Sequence, residues 1–241
     1  MKKCLSFFMF LSVLAHAGMM EGYYDNARKQ MLEIIQDQVR EESAYLRKKS
    51  LDEEVLNAMR SVPRHKFVPL IHRMSSYENR PLSIGYGQTI SQPFIVAIMT
   101  DLLELKHTDR VLEVGTGSGY QAAVLAEIVK DVYTVEVIEE LAKTAKKRLK
   151  KLGYINVKTR SGDGYYGWEE NAPYDAIIVT AAAGDIPPPL LKQLKPGGKM
   201  IIPVKSMFYV QHLILVEKDQ KGALTTRQIV PVMFVPLTGK H

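Results

Sequence analysis

The sequence predicts an α/β protein built on a doubly wound, mostly parallel sheet with a helical addition at its N-terminus. Three observations carry this expectation. An apolar strand over 110–114 breaks into three alternating glycines, Gly115-Thr116-Gly117-Ser118-Gly119. A second buried strand over 131–136 ends in Glu136, 21 positions after Gly115. Strand-like and helix-like segments then alternate as far as 204, the order that lays helices on both faces of a parallel sheet.

The first 17 residues differ from the rest. Lys2 and Lys3 precede the apolar run 4–14, and Ala15-His16-Ala17 places small residues on either side of a larger one. This is the pattern of a cleaved secretory signal, and it is short for a membrane span. The expectation is cleavage between Ala17 and Gly18, a periplasmic mature chain and no stable membrane insertion. An uncleaved apolar helix on a cytoplasmic protein is the alternative. Cleavage would also remove Cys4, the only cysteine, so either redox environment suits what is left.

Residues 18–241 are expected to form one domain, of which 18–80 is the helical addition. Over 22–49, Ala27, Met31, Ile34, Ile35 and Val39 recur at helical spacing and offer one face for docking. Ser50 reads as an N-cap with Glu53 completing a capping box, before the apolar set Leu51, Val55, Leu56 and Met59. Pro63 ends that helix. Another starts at Pro93, where the missing N–H costs nothing, and runs through Ile95, Ile98, Met99, Leu102 and Leu103. Ser91 then stands just ahead of a helix N-terminus, where it also reads as a cap.

Beyond the glycine loop, 157–160 is a short strand leading to Ser161-Gly162-Asp163-Gly164. The continuous apolar run 174–182 suits a central strand buried on both faces. Leu194-Lys195-Pro196-Gly197-Gly198-Lys199 reads as a turn into the strand 200–204, and 209–216 and 228–235 as two edge strands joined through Gly222. Helix 139–151 starts with acids and ends with bases. The helix dipole and solvent explain that run without a binding role.

With 46% hydrophobic residues in 241, the chain has enough apolar surface for a single core. The net charge of +6, or +4 after loss of Lys2 and Lys3, is scattered over helices, so no nucleic-acid partner is implied. Neither zinc-type Cys/His spacing nor a phosphate P-loop occurs, and no metal is expected.

The glycine spacing discriminates between ligands. A dinucleotide fingerprint needs G-x-G-x-x-G, but here the third glycine comes one residue early and Tyr120 fills the position. The G-x-G-x-G pattern after an E-V strand resembles the first motif of S-adenosylmethionine-dependent methyltransferases. Taken alone it is also a tight strand-to-helix turn. Glu136 stands where a carboxylate holds a ribose diol, and Asp163 where one accepts from an adenine amino group, although D-G is itself a common turn.

More particular segments follow one another in order. They are Val62-Pro63-Arg64-His65-Lys66-Phe67-Val68-Pro69, the stretch 80–93 with Gly87-Gln88-Thr89-Ile90-Ser91-Gln92-Pro93, then Gly162-Asp163-Gly164 and Phe234-Val235-Pro236-Leu237-Thr238. In this set the chain resembles the protein-L-isoaspartate O-methyltransferases, from about Leu51 to Thr238. The resemblance implies a Rossmann-like sheet of the class I methyltransferase type and methyl transfer from S-adenosylmethionine to the free α-carboxylate of isoaspartyl residues. It implies a catalytic positioning role for Ser91, with Thr89 and Ile90 beside it. Gly115, Gly117, Glu136, Asp163, Gly164 and Thr238 become the further cofactor-binding residues. Many bacterial members carry Arg before the F-V-P-L run, whereas Met233 stands here. The expected partners are isoaspartyl-containing proteins and peptides, met by a monomer. A class I enzyme acting on RNA or a small molecule shares the cofactor residues, and a noncatalytic cofactor binder is the remaining alternative.

Overall fold

The computed structural model describes residues 2–205 and 210–240, with side chains from Gly18 onward. The side chains of residues 1–17, where the leader is expected, and Tyr209 lie outside the described residues. The chain opens with α1 (Lys2–Glu41) and a single turn, α2 (Ser43–Leu46). Helix α1 buries Tyr24, Met31, Leu32, Ile35 and Val39, while Ile34 is 48% exposed. At about 100° per residue, position 34 falls outside the face that 31, 35 and 39 share.

Helix α3 (Glu53–Ser61) starts later than its sequence suggests: Asp52, not Ser50, is its N-cap, and no side chain closes the cap. The preceding residues stay extended because Leu51 is drawn into the core and the Asp52 N–H donates to Asp101 Oδ1 at 2.8 Å. Lys48 pairs with the same Asp101.

A hairpin of β1 (Leu82–Gly85) and β2 (Gln88–Ile90), absent from the sequence reading, leads into α4 (Pro93–Asp101). Its two central turn residues, Tyr86 and Gly87, have φ of 54° and 71°, the left-handed pair that a two-residue hairpin loop needs. Helix α4 is buried nearly all round.

The doubly wound part follows: β3 (Arg110–Val114), α5 (Tyr120–Ala126), β4 (Asp131–Glu136), α6 (Glu139–Lys151), β5 (Val157–Ser161), β6 (Tyr174–Val179), α7 (Pro188–Gln193) and β7 (Leu194–Lys205), then β8 (Gln211–Lys218) and β9 (Leu224–Val232). Sheet order is β5-β4-β3-β6-β7-β8-β9, parallel as far as β7 and antiparallel beyond it.

Two boundaries depart from expectation for visible reasons. The Leu194-to-Lys199 segment belongs to β7, with its register to β6 broken between Tyr174 and Ala176. A Cβ on Gly198 would lie 2.7 Å from Asp175 O, so only glycine lets the two strands close. Strand β9 ends at Val232, short of 235, because the Gln211 side chain takes both backbone groups of Phe234, at 2.6 and 3.0 Å.

Alternate residues of each strand feed alternate layers. Val111, Val132, Ala176, Ile178 and Ile201 pack under α1, α3, α4 and α5; Leu112, Tyr133, Ile177, Met200 and Ile202 pack against Tyr174 and Leu190 on the other face. Helix α1 joins the first layer through an aromatic cluster. The Tyr24 ring stacks on His65 at 3.8 Å, His65 Nδ1 meets the Tyr77 hydroxyl at 2.9 Å, and Arg28 donates to that hydroxyl. Burial, with Lys66, Arg28 and Arg73 nearby, pushes the His65 pKa down to about 4.

Such a histidine is neutral in the folded chain and protonated in the unfolded one between pH 4 and 6.5, so its contribution to stability falls as pH drops through that window. Urea titrations at pH 7 and pH 5 should show an acid loss from this group of at most about 2 kcal/mol, and His65→Phe should flatten that slope. An identical slope in the variant would clear His65 of any part in it.

Candidate functional site

Strands β3 and β6 are neighbours from which the chain winds outward in opposite directions. A crevice therefore opens at their carboxyl ends, since the connections on the two sides lead away from it. One cavity there gathers Thr89, Ile90 and Ser91 from the exit of the hairpin, Gly115 and Gly117 from the loop after β3, Glu136 from the end of β4, then Gly164 and Thr238. Eight of the nine residues singled out in the sequence thus line a single space. Asp163 is not among its lining residues.

The glycine loop is held from several sides. Gly115 has φ of 97°, and a Cβ on it would collide with Thr180 Oγ1. That hydroxyl faces the carbonyls of Val114 and Gly115, at 3.0 and 2.7 Å. The Gly117 N–H donates to Glu136 Oε2 at 2.7 Å, and the Ile138 N–H to Oε1 at 3.0 Å. Each carboxylate oxygen keeps a further lone pair for a ligand hydroxyl. Gly119, with φ of 86°, packs under Leu149, where a Cβ would come within 3.3 Å.

Arg148 corrects the reading of the basic run on α6. It turns inward and donates from Nη1 to the Ser118 carbonyl at 2.6 Å, so this member of the run holds the loop.

Thr180 and Glu113 were missed as site residues. Thr180 ends the apolar run of β6, and a hydroxyl at the carboxyl end of a central strand was the available signal. Glu113 sits within β3 and lines the cavity floor. It is fully buried; the Thr134 side chain and the Ala122 backbone lie beside its carboxyl group, but neither oxygen meets a well-aligned hydrogen bond among the described residues. Burial above all, with Glu136 nearby, pushes its pKa up to about 8. A carboxyl group in that position favours a cationic group placed beside it.

The C-terminal segment closes another side. The Ala182 N–H donates to the Val235 carbonyl at 2.8 Å and the Leu237 N–H to the Ala182 carbonyl at 2.7 Å, extending the end of β6 by one more chain. Thr238 reaches the cavity as a result. Asp163 is turned toward its own turn and this tail: Oδ1 accepts from the Tyr165 N–H at 3.0 Å and Oδ2 from the Lys240 N–H at 2.8 Å.

Ser91 is freed from the capping role that its sequence position allowed. Gln92 is the N-cap of α4, and the Phe94 N–H is taken by Asn79 Oδ1 at 3.0 Å. Beyond Ser91 an adjoining groove of about 430 Å³ shares Thr89, Ser91, Thr180 and Val235 with the cavity. Its walls are Pro81, Ile95, Pro231, Val232, Met233 and Phe234, and among the described residues no charged side chain lines it. Met233, at its rim, is 94% exposed. Among the described residues no cluster of three His, Cys, Asp or Glu could hold a metal ion, and no helix is long and apolar enough to cross a membrane.

Comparison with known proteins agrees with this architecture. The family described as protein-L-isoaspartate(D-aspartate) O-methyltransferase matches residues 38–241. Protein-L-isoaspartate O-methyltransferase 2 of Syntrophobacter fumaroxidans is 61% identical over 224 residues, 93% of this chain and 91% of that protein. The protein of the same name in a Polaromonas species is 60% identical over 211 residues, 88% of this chain and 100% of that one. A Plasmodium falciparum structure assigned to this activity, solved with S-adenosyl-L-homocysteine, superposes with a TM-score of 0.73 at 27% identity and covers 88% of this chain and 98% of its own. Matched along 38–241 and about three-fifths identical to such relatives, the chain belongs to the protein-L-isoaspartate O-methyltransferase family.

Proposed function

We propose that this chain transfers the methyl group of S-adenosylmethionine to the free α-carboxylate of L-isoaspartyl residues in damaged proteins and peptides, as a repair step. The observation that carries the reading is the joining of a nucleoside-type cavity to an uncharged groove through Ser91, Thr89 and Thr180.

The residues present fit the cofactor. Glu136 keeps lone pairs for the ribose hydroxyls, Gly115, Gly117 and Gly164 let backbone approach closely, and the buried Glu113 carboxyl on the cavity floor suits the ammonium of the methionine tail. When bound, S-adenosylmethionine supplies a methyl carbon that leaves sulfur for a carboxylate oxygen, so the sulfonium becomes a neutral thioether and no proton moves. The chain therefore has no need of a strong base. Its residues must orient the carboxylate and strip water from it, since placement in line supplies much of the barrier reduction. The Ser91 hydroxyl, at the junction of cavity and groove, orients the carboxylate. Pro81, Ile95 and Phe234 exclude water along the substrate's flank. We assign Thr238 and Gly164 to the cofactor side, and Asp163 to the adenine once the Lys240 contact gives way.

Radiolabelled methyl transfer to matched isoaspartyl and aspartyl peptides tests the reaction and its substrate together, with label expected only on the first. Label on RNA or a small molecule instead would replace the substrate assignment. Ser91→Ala should lower turnover about a hundredfold while leaving cofactor affinity within a few-fold, whereas turnover equal to wild type would remove Ser91 from the chemistry.

Cofactor binding should release a proton. Glu113, protonated below pH 8 in the free chain, ionises when the ammonium arrives, so affinity tightens as pH rises from 6 toward 8, by up to about tenfold per unit. Calorimetry in buffers of different ionisation enthalpy measures the proton count, and Glu113→Gln should bring it to zero. A wild type that releases none would contradict the assignment.

We further infer that the leader is cut between Ala17 and Gly18 and the mature protein acts in the periplasm, from Lys2-Lys3, the apolar run and Ala15-His16-Ala17. Fractionation with N-terminal sequencing should find a periplasmic chain beginning at Gly18. An intact Met1 in the cytoplasmic fraction would establish the alternative.

A further inference from the structure

Arg64 is fully buried, and among the described residues no carboxylate pairs with it. Its guanidinium is instead shared between two backbone carbonyls and a ring. Nε donates to Ser76 O at 2.7 Å and Nη2 to Ser91 O at 2.7 Å, while Cζ lies 4.7 Å from the centroid of the Tyr120 ring. Tyr120 begins α5 directly after the glycine loop and, like Ser91, lines the cavity. One side chain therefore joins the two walls between which the methyl group must pass. A buried charge without a counter-ion is costly to keep. A packing role alone would be met at lower cost by an apolar residue, whereas a planar fork with several donors reaches two carbonyls and a ring face at once.

We propose that Arg64 is a positioning residue for methyl transfer, fixing the Ser91 backbone, and with it the Ser91 hydroxyl, relative to the glycine loop. The proposal rests on the isoaspartyl methyltransferase reading given above. Arg64 lines neither the cavity nor the groove and acts through Ser91. The substitution Arg64→Lys would keep the charge but lose the fork, and Arg64→Gln would keep an amide donor without a buried charge.

The test is a double-mutant cycle on kcat with isoaspartyl peptide, using Arg64→Gln, Arg64→Lys, Ser91→Ala and the Arg64→Gln/Ser91→Ala pair, with folding followed by thermal melting. Each Arg64 variant should lose about 10- to 100-fold in kcat while its cofactor Kd stays within about threefold, and the pair should be no more than about threefold slower than Ser91→Ala alone. Losses that multiply in the pair, or full turnover in folded Arg64→Gln, would overturn the proposal. The wild-type protein supplies a second reading that needs no folded variant. With S-adenosylhomocysteine present, the Arg64 Nε–Hε resonance should shift on adding isoaspartyl peptide and stay unmoved with the aspartyl peptide; an unmoved signal with both would also overturn it. Wild-type protein that binds cofactor yet leaves isoaspartyl peptide unmethylated would instead overturn the functional reading on which the proposal stands.

Discussion

The close approach of Gly115 to Thr180 sets the geometry on which the site depends. Two central strands diverge at this point, and their ends stay together because one hydroxyl bridges the carbonyls of Val114 and Gly115 while the facing residue has no Cβ. From that contact the loop runs under the reach of Glu136 from β4 and of Arg148 and Leu149 from α6. The cavity is therefore a product of the sheet, and the loop has little freedom to close in any other way. Rigid support of this kind is what placement-driven chemistry requires.

Three buried ionisable groups show how differently one core treats charge. His65 stacks between aromatic rings and discards its proton. Glu113, fully buried and near Glu136, holds its proton well above the usual carboxylate range. Arg64 stays charged even though burial draws its pKa down to about 10, because two carbonyls and an aromatic face replace water. The first two groups escape the cost of burial by neutralising, which an arginine at neutral pH cannot do. That difference marks Arg64 as the one for which position outweighs energy.

Much of this was legible in the sequence where periodicity and turn chemistry act locally. The parallel strands, the glycine loop, Glu136 at a strand end and the Pro93 start of α4 all follow from patterns a few residues long. The hairpin before α4 escaped notice because its strands hold only four and three residues, too few for alternation to show. What failed elsewhere was set by distant partners: Asp101 holds the entry to α3, Gln211 ends β9 early, and Lys240 turns the Asp163 carboxylate toward the tail. Glu113 was passed over for a related reason. Within an apolar strand a glutamate gives no sign of the face it occupies until its neighbours are placed.

The pairing of Ala182 with Val235 and Leu237 bears on how the protein comes into being. Residues 235–238 form a wall of the cavity, yet they are made after every strand of the sheet. While the ribosome still shields this segment, the sheet can assemble but the pocket stays open on one side. Catalytic competence therefore arrives later than the sheet, and a chain cut between Val232 and Val235 would keep all its strands yet lack one wall of the cavity.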